Sequence, residues 1–142
     1  MSGGRILGLD PGERRIGVAL SDPLGIIASP FTMIDRRTED LAKRLRALCT
    51  EYDVGTIVVG LPVSLSGDEG AAAEKARRFG DEVRAITGHE VVFADERFTS
   101  VQAERLLVDD GMRRSKRRET TDKVAAALML QGYLDRVRRE EP

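Results

Sequence analysis

The sequence predicts one α/β domain spanning residues 1–142: a mixed five-stranded sheet in the order βββαβαβαα, with helices on both faces. Three observations carry this. A meander of three strand-like segments gives way to alternating strand and helix patterns. Two later apolar runs, Thr56–Gly60 and Glu90–Ala94, are continuous, as in strands covered on both faces. The chain has 142 residues, 41% hydrophobic and 33% charged, which is one domain's length and enough to bury a core. It contains no repeat, low-complexity tract or linker.

Arg5–Leu9 and Arg15–Ser21 read as strands joined by Asp10-Pro11-Gly12-Glu13-Arg14. Pro followed by Gly predicts a type II turn and so a hairpin. A third strand covers Ile26–Ile34, where Pro30 places it at an edge or a bulge. From about Thr38 to Tyr52, Leu41, Leu45, Leu48 and Tyr52 recur at helical spacing. After Thr56–Gly60, a glycine-rich loop, Ser64–Gly70, opens a helix striped by Ala72, Ala76, Phe79, Val83 and Ile86. Beyond Glu90–Ala94, helices are predicted over Ser100–Asp110 and Asp122–Arg139. The basic stretch Met112–Arg118 separates them. In such sheets functional groups collect where parallel strands end, here just past Leu9, Val59 and Ala94.

Composition narrows the chemistry. With 23 basic and 24 acidic residues the net charge is −1, which excludes a uniformly basic, nucleic-acid-coating surface but not a local basic patch. One cysteine, Cys49, excludes an internal disulfide and a thiolate metal cluster. One histidine, His89, excludes His-rich zinc sites. Cys49 reads as a small core residue and His89 as a loop residue. No apolar run approaches the ~20 residues that span a bilayer, and the segment before the first strand has no signal-peptide pattern. The expectation is a cytoplasmic protein with no membrane partner. Any chemistry falls to carboxylates, hydroxyls and cations.

Asp10 ends the first strand, Glu96 follows the strand Glu90–Ala94, and Asp122 opens the last helix. Carboxylates brought together from three segments repel, so such a cluster needs a cation. Oxygen ligands without His or Cys select Mg²⁺ or Mn²⁺, and two such ions can clamp a phosphodiester. Plainer roles are open at two of the three positions, whereas Glu96 sits among three charges, Asp95-Glu96-Arg97, at the end of an apolar strand. Asp10 suits a turn, and Asp122 complements a helix dipole.

Four motifs resemble one family. Gly8-Leu9-Asp10-Pro11-Gly12 with Arg15-Ile16-Gly17-Val18-Ala19 and Ser21-Asp22 forms the first. Val59-Gly60-Leu61-Pro62 followed by Gly67-Asp68-Glu69-Gly70 is the second. Asp95-Glu96-Arg97-Phe98-Thr99-Ser100 is the third, and Asp122-Lys123-Val124-Ala125-Ala126 the last. Together they resemble the YqgF (RuvX-like) family, collinearly from about Arg5 to Asp135. That resemblance implies an RNase H-like fold and a metal-dependent nuclease whose acids are Asp10, Glu96 and Asp122, holding Mg²⁺ or Mn²⁺, two ions in all. The family's names point to the 5′ end of the 16S rRNA precursor and to Holliday junctions; the first is preferred, because two-fold junction cleavage needs a symmetric dimer. Two departures stand out. Thr121, read as a helix N-cap, replaces an aliphatic residue. Ala125 stands where related resolvases carry a fourth acid.

Cations surround these motifs. Arg14 and Arg15 flank the Asp10 turn and are candidates for phosphate contact, with an exposed hairpin the plainer reading of Arg14. Arg97 either binds the scissile phosphate or orients Glu96. Thr99 with Gln102 matches a capping box. In the run Met112–Arg118, Arg113, Arg114, Lys116 and Arg117 are assigned to nucleic acid because Asp122 follows closely; a solvated loop is the alternative. No aromatic interleaves them, so backbone contact rather than base stacking is expected. Gly60–Gly70 lacks the Lys-Ser/Thr ending of a P-loop and is read as a rim of the site. Substrate expectations are structured RNA or branched DNA, acted on by a monomer or weak homodimer. The rivals are a non-catalytic RNA-binding assembly factor and an ATP-binding protein, since Gly8–Gly12 also resembles a phosphate loop of the actin, sugar-kinase and Hsp70 superfamily.

Overall fold

The computed structural model describes residues 4–12, 14–62, 70–95 and 114–140, with the backbone alone for 114–121. Its elements are β1 (Arg5–Pro11), β2 (Arg15–Ser21), β3 (Ala28–Asp35), α1 (Leu41–Glu51), β4 (Val54–Leu61), α2 (Ala71–Thr87), β5 (Glu90–Asp95) and α3 (Arg114–Glu140). The strands form one sheet in the order β3-β2-β1-β4-β5. β1, β2 and β3 run antiparallel, whereas β1, β4 and β5 are parallel. This is the mixed five-stranded sheet that the patterning predicts. The predicted helix Ser100–Asp110 lies outside the described residues.

Strand alternation sorts the side chains into two layers. Leu7 and Leu9 of β1, Ile16 and Val18 of β2, and Ile57 and Val59 of β4 pack with Leu45, Leu48, Phe79 and Val83 of α1 and α2. Their neighbours face the other way. Ala19, Val58 and Ala94 pack with Ala126, Met129, Leu130 and Leu134 of α3. Helices therefore cover both faces, which explains the continuous apolar run of β4. Cys49 is buried in the first layer, as expected, and burial pushes its thiol pKa up.

Local signals set most boundaries. Asp40 caps α1, its carboxylate accepting from Lys43 N–H at 3.2 Å, so this helix starts later than Thr38. Gly88, at φ 73°, ends α2 in the left-handed conformation that glycine tolerates. Pro30 does fall on an edge strand, and the β2–β3 register shifts beside it, from Val18↔Thr32 to Ala19↔Pro30.

Two expectations are corrected. The first concerns the hairpin: β1 runs through Pro11, Gly12 N–H donates to Arg15 O at 2.9 Å, and Gly12 is not among the positive-φ glycines. A type II turn at Pro11-Gly12 is thereby excluded. Pro11 pairs with Ile16 beside that bonded pair, in a position where its missing N–H costs no ladder bond. The second concerns Asp122, which does not open a helix. α3 begins at Arg114, so Thr121 is no N-cap and the basic run from Arg114 onward is helix rather than a separating loop. Residues 114–131 contain neither Gly nor Pro, and Lys, Arg and Glu propagate a helix well.

Candidate active site

The parallel strands end at one level. Leu9 is in register with Val59, and Val59 with Phe93, so Asp10 lies at the carboxyl ends of β1, β4 and β5. Because Leu9 faces α1 and α2, alternation turns Asp10 toward α3. On β2 its partner is Gly17. A Cβ built on Gly17 would stand 1.9 Å from the Asp122 carbonyl oxygen and 3.2 Å from Lys123 N. The absent side chain is thus the space that α3 occupies. Through Gly17, the backbone of Asp122 is laid directly on the strand pair that carries Asp10.

Two rows along the same face, Gly8 would bring a Cβ within 3.0 Å of Leu130 Cβ. Ala125, at the departure from the resolvase pattern, is 1% exposed. Small residues keep this helix close to the sheet, and close approach is what brings two acids from distant segments to one place.

Arg15 completes the described group. Its Nε lies 3.2 Å from Asp122 Oδ2, with both side chains about a third exposed. That oxygen itself is shielded from solvent. The guanidinium offsets the repulsion between neighbouring carboxylates. Arg14 points elsewhere: its Nε and Nη2 donate to both oxygens of Asp35 at 2.9–3.2 Å. These bonds hold the Asp35 carboxyl below the usual carboxylate range. Arg14 is therefore occupied at the hairpin's flank, a pairing that sequence reading missed because Asp35 lies a strand away.

Of the other predicted site residues, Glu96, Arg97 and Arg113 lie outside the described residues. Arg114, Lys116 and Arg117 lie on the first turn of α3, where only the backbone is described. Among the described residues no group of three or more His, Cys, Asp or Glu could hold a metal. The two acids brought together, Asp10 and Asp122, offer hard oxygen donors of the kind Mg²⁺ and Mn²⁺ select. Sequence reading also passed over Gly17 as the residue that sets their approach. Its signal was present: a glycine inside an otherwise apolar strand marks close backbone approach.

The RuvX family model, described as Holliday junction resolvase, matches residues 4–136. The chain belongs to the RuvX family. A relative from Roseiflexus sp. (strain RS-1), called "Putative pre-16S rRNA nuclease", is 45% identical over 133 residues, covering 93% of this chain and 94% of its own. One from Lactococcus lactis subsp. lactis, with the same name, is 46% identical over 134 residues, covering 92% and 94%. Among solved structures, RuvC of Thermus thermophilus in complex with Holliday junction substrate has a TM-score of 0.50 at 17% identity, covering 94% of this chain and 96% of that one. That likeness shows the fold, which is RNase H-like. RuvX proteins and these relatives are named as nucleases, and this chain is a nuclease of the same family.

Proposed function

We propose that the chain is a metal-dependent endonuclease that processes the 5′ end of the 16S rRNA precursor in the cytoplasm, and that residues 1–142 form one RNase H-like domain. The observation that supports the site is the seat of α3 on Gly17, which sets Asp122 beside the strand pair carrying Asp10. Asp10, Asp122 and Glu96, the residue after the end of β5, would hold Mg²⁺ or Mn²⁺, two ions in all. When bound, the ions supply positive charge to the scissile phosphate and make water a better nucleophile at neutral pH.

The chain's own residues do the positioning. Asp10 stands at the end of a central strand, where the sheet fixes its backbone. Asp122 is fixed by the helix above and by Arg15 beside it. Arg15 lies where a phosphate oxygen approaching the acids would meet a guanidinium, so it both orients Asp122 and attracts the strand to be cut. Arg97 and the cations Arg113, Arg114, Lys116 and Arg117 would extend that attraction along the substrate backbone, giving strong salt dependence and little sequence preference. Arg14, held by Asp35, would add only its outer edge.

RNA is preferred to branched DNA because the relatives above carry the rRNA name. A monomer or weak homodimer is in keeping with the surface. Among the described residues the exposed large hydrophobics are Leu24 and Ile27, too few for an obligate interface.

The test is cleavage of the rRNA precursor end and of a four-way DNA junction, with Mg²⁺ and with Mn²⁺, by wild type and by Asp10→Asn. Metal-dependent cutting of the RNA by wild type is expected, with a loss of more than about 1000-fold in Asp10→Asn at unchanged substrate affinity. Preferential junction cutting would reassign the substrate. Binding without cutting by both proteins would make the chain an assembly factor.

A further inference from the structure

On the opposite face of the sheet from Asp122, a cavity of about 640 Å³ opens beside the tip of β1. Its rim begins at Pro11 and Gly12, the residues directly after Asp10, and continues through Pro62 at the end of β4 and the outer face of α2. The volume lies within the range of small-ligand sites, roughly 300–1,000 Å³. Three cations, Arg36, Lys75 and Arg78, line it against one acid, Glu82. In a chain of net charge −1 this is a local excess of positive charge.

Arg36 is the built feature. Its guanidinium lies over the Phe79 ring, 5.6 Å from the centroid, and Phe79 is itself buried. Its Nη2 donates to both Glu82 oxygens at 3.1 and 3.2 Å. The ring on one side and the carboxylate at one nitrogen hold the guanidinium in place, while 36% of the side chain stays exposed. A fixed, partly exposed guanidinium plane is a stacking platform for a nucleobase. Pro11 and Pro62 offer apolar walls beside it. Lys75 is exposed and makes no ion pair among the described residues, whereas Arg78 is paired with Glu74 at 2.8 Å. Lys75 is therefore the cation open to a phosphate.

We infer that this cavity is a nucleotide subsite, holding one base on the Arg36 plane and its phosphate on Lys75. The inference rests on the nuclease reading only for its source of ligand, a nucleotide of the substrate strand next to the one cut at Asp10. The strand crosses the hairpin tip at Pro11-Gly12 between the two places. A free mononucleotide has the same chemistry and is the other source.

The experiment is an NMR titration of the full-length protein with 5′-AMP, followed by cleavage kinetics on the rRNA precursor end, for wild type, Arg36→Ala, Lys75→Glu and Lys75→Gln. Amide shifts around Arg36, Lys75 and Phe79 are expected, with affinity about tenfold weaker in Arg36→Ala and Lys75→Glu, and less so in Lys75→Gln. Substrate KM should rise about as much while kcat changes less than about twofold. Circular dichroism melting unchanged from wild type separates this from misfolding. Shifts with KM unaffected would assign the pocket to free nucleotide. Neither shifts nor a KM change would overturn the subsite. The titration needs no turnover, so failure of Asp10 as a catalytic acid would show separately, as cleavage surviving Asp10→Asn.

Discussion

The two faces of the sheet are built to different rules. Toward α1 and α2 the strands present Leu7, Leu9, Ile16, Val18, Ile57 and Val59, met by Leu45, Leu48, Phe79 and Val83. Toward α3 they present Gly8, Gly17, Ala19 and Ala94 with one larger residue, Val58, met by Ala126, Met129, Leu130 and Leu134. The large side chains of the first face bury most apolar area per residue and carry most of the hydrophobic stabilisation. The small residues of the second give up area for proximity. They let a helix backbone rest on a strand backbone, and two carboxylates far apart in sequence share an edge. Large-residue packing is concentrated on one face and the approach of the two candidate acids on the other.

Gly17→Ala should break this division most severely. The new Cβ would meet the Asp122 carbonyl at 1.9 Å, and backbone cannot rotate away as a side chain can. A cost of about 3 kcal/mol is expected. Displacing Asp122 by even ~1 Å should cut cleavage on the order of 100-fold in protein that remains folded. Thermal melting and single-turnover cleavage at low temperature measure the two separately.

Ile57→Ala sharpens the contrast from the other side. Ile57 is fully buried and faces α1 and α2, so truncation should cost about 2–5 kcal/mol. Its kcat, measured on the folded fraction, should match wild type. A kcat loss like that of Gly17→Ala would show that both faces position the acids.

The smallest effect concerns the loop between β2 and β3, which is tied to α3. Gln131 accepts from Ala28 N–H at 2.8 Å and donates to Ile26 O at 2.9 Å. Within the loop, Asp22 accepts from Ile26 and Ile27 N–H, and these bonds hold its carboxyl below the usual range. A depressed folded pKa contributes stability above the ordinary carboxylate value of about 3.9, and that contribution is lost as pH falls through the folded value. Urea midpoints of wild type and Asp22→Asn should therefore differ at pH 7 and converge below about pH 4. A gap that persists at low pH would assign the role to shape rather than charge.

Asp10 was legible because an acid that abruptly ends an apolar strand must sit at the sheet's edge. Asp122 was legible as a candidate, but its setting was not. Thr121-Asp122 carries a local helix-start signal, yet α3 begins eight residues earlier, at Arg114, because nothing between the two breaks a helix. Arg14 and Arg15 are adjacent and chemically identical in sequence. Arg14 stands just before β2 and reaches Asp35, whereas Arg15, the first residue of β2, reaches Asp122.

Periodicity, turn residues and composition depend on neighbours within a few positions, so the sequence by itself determined the α/β class, the five strands and the two-faced burial of β4, and it confined the candidate site to carboxylates, hydroxyls and cations. Which partners each charge found, and how near α3 comes to the sheet, were decided by tertiary structure alone. Those depend on groups separated by scores of residues, brought together by the sheet order and by the missing side chain at Gly17.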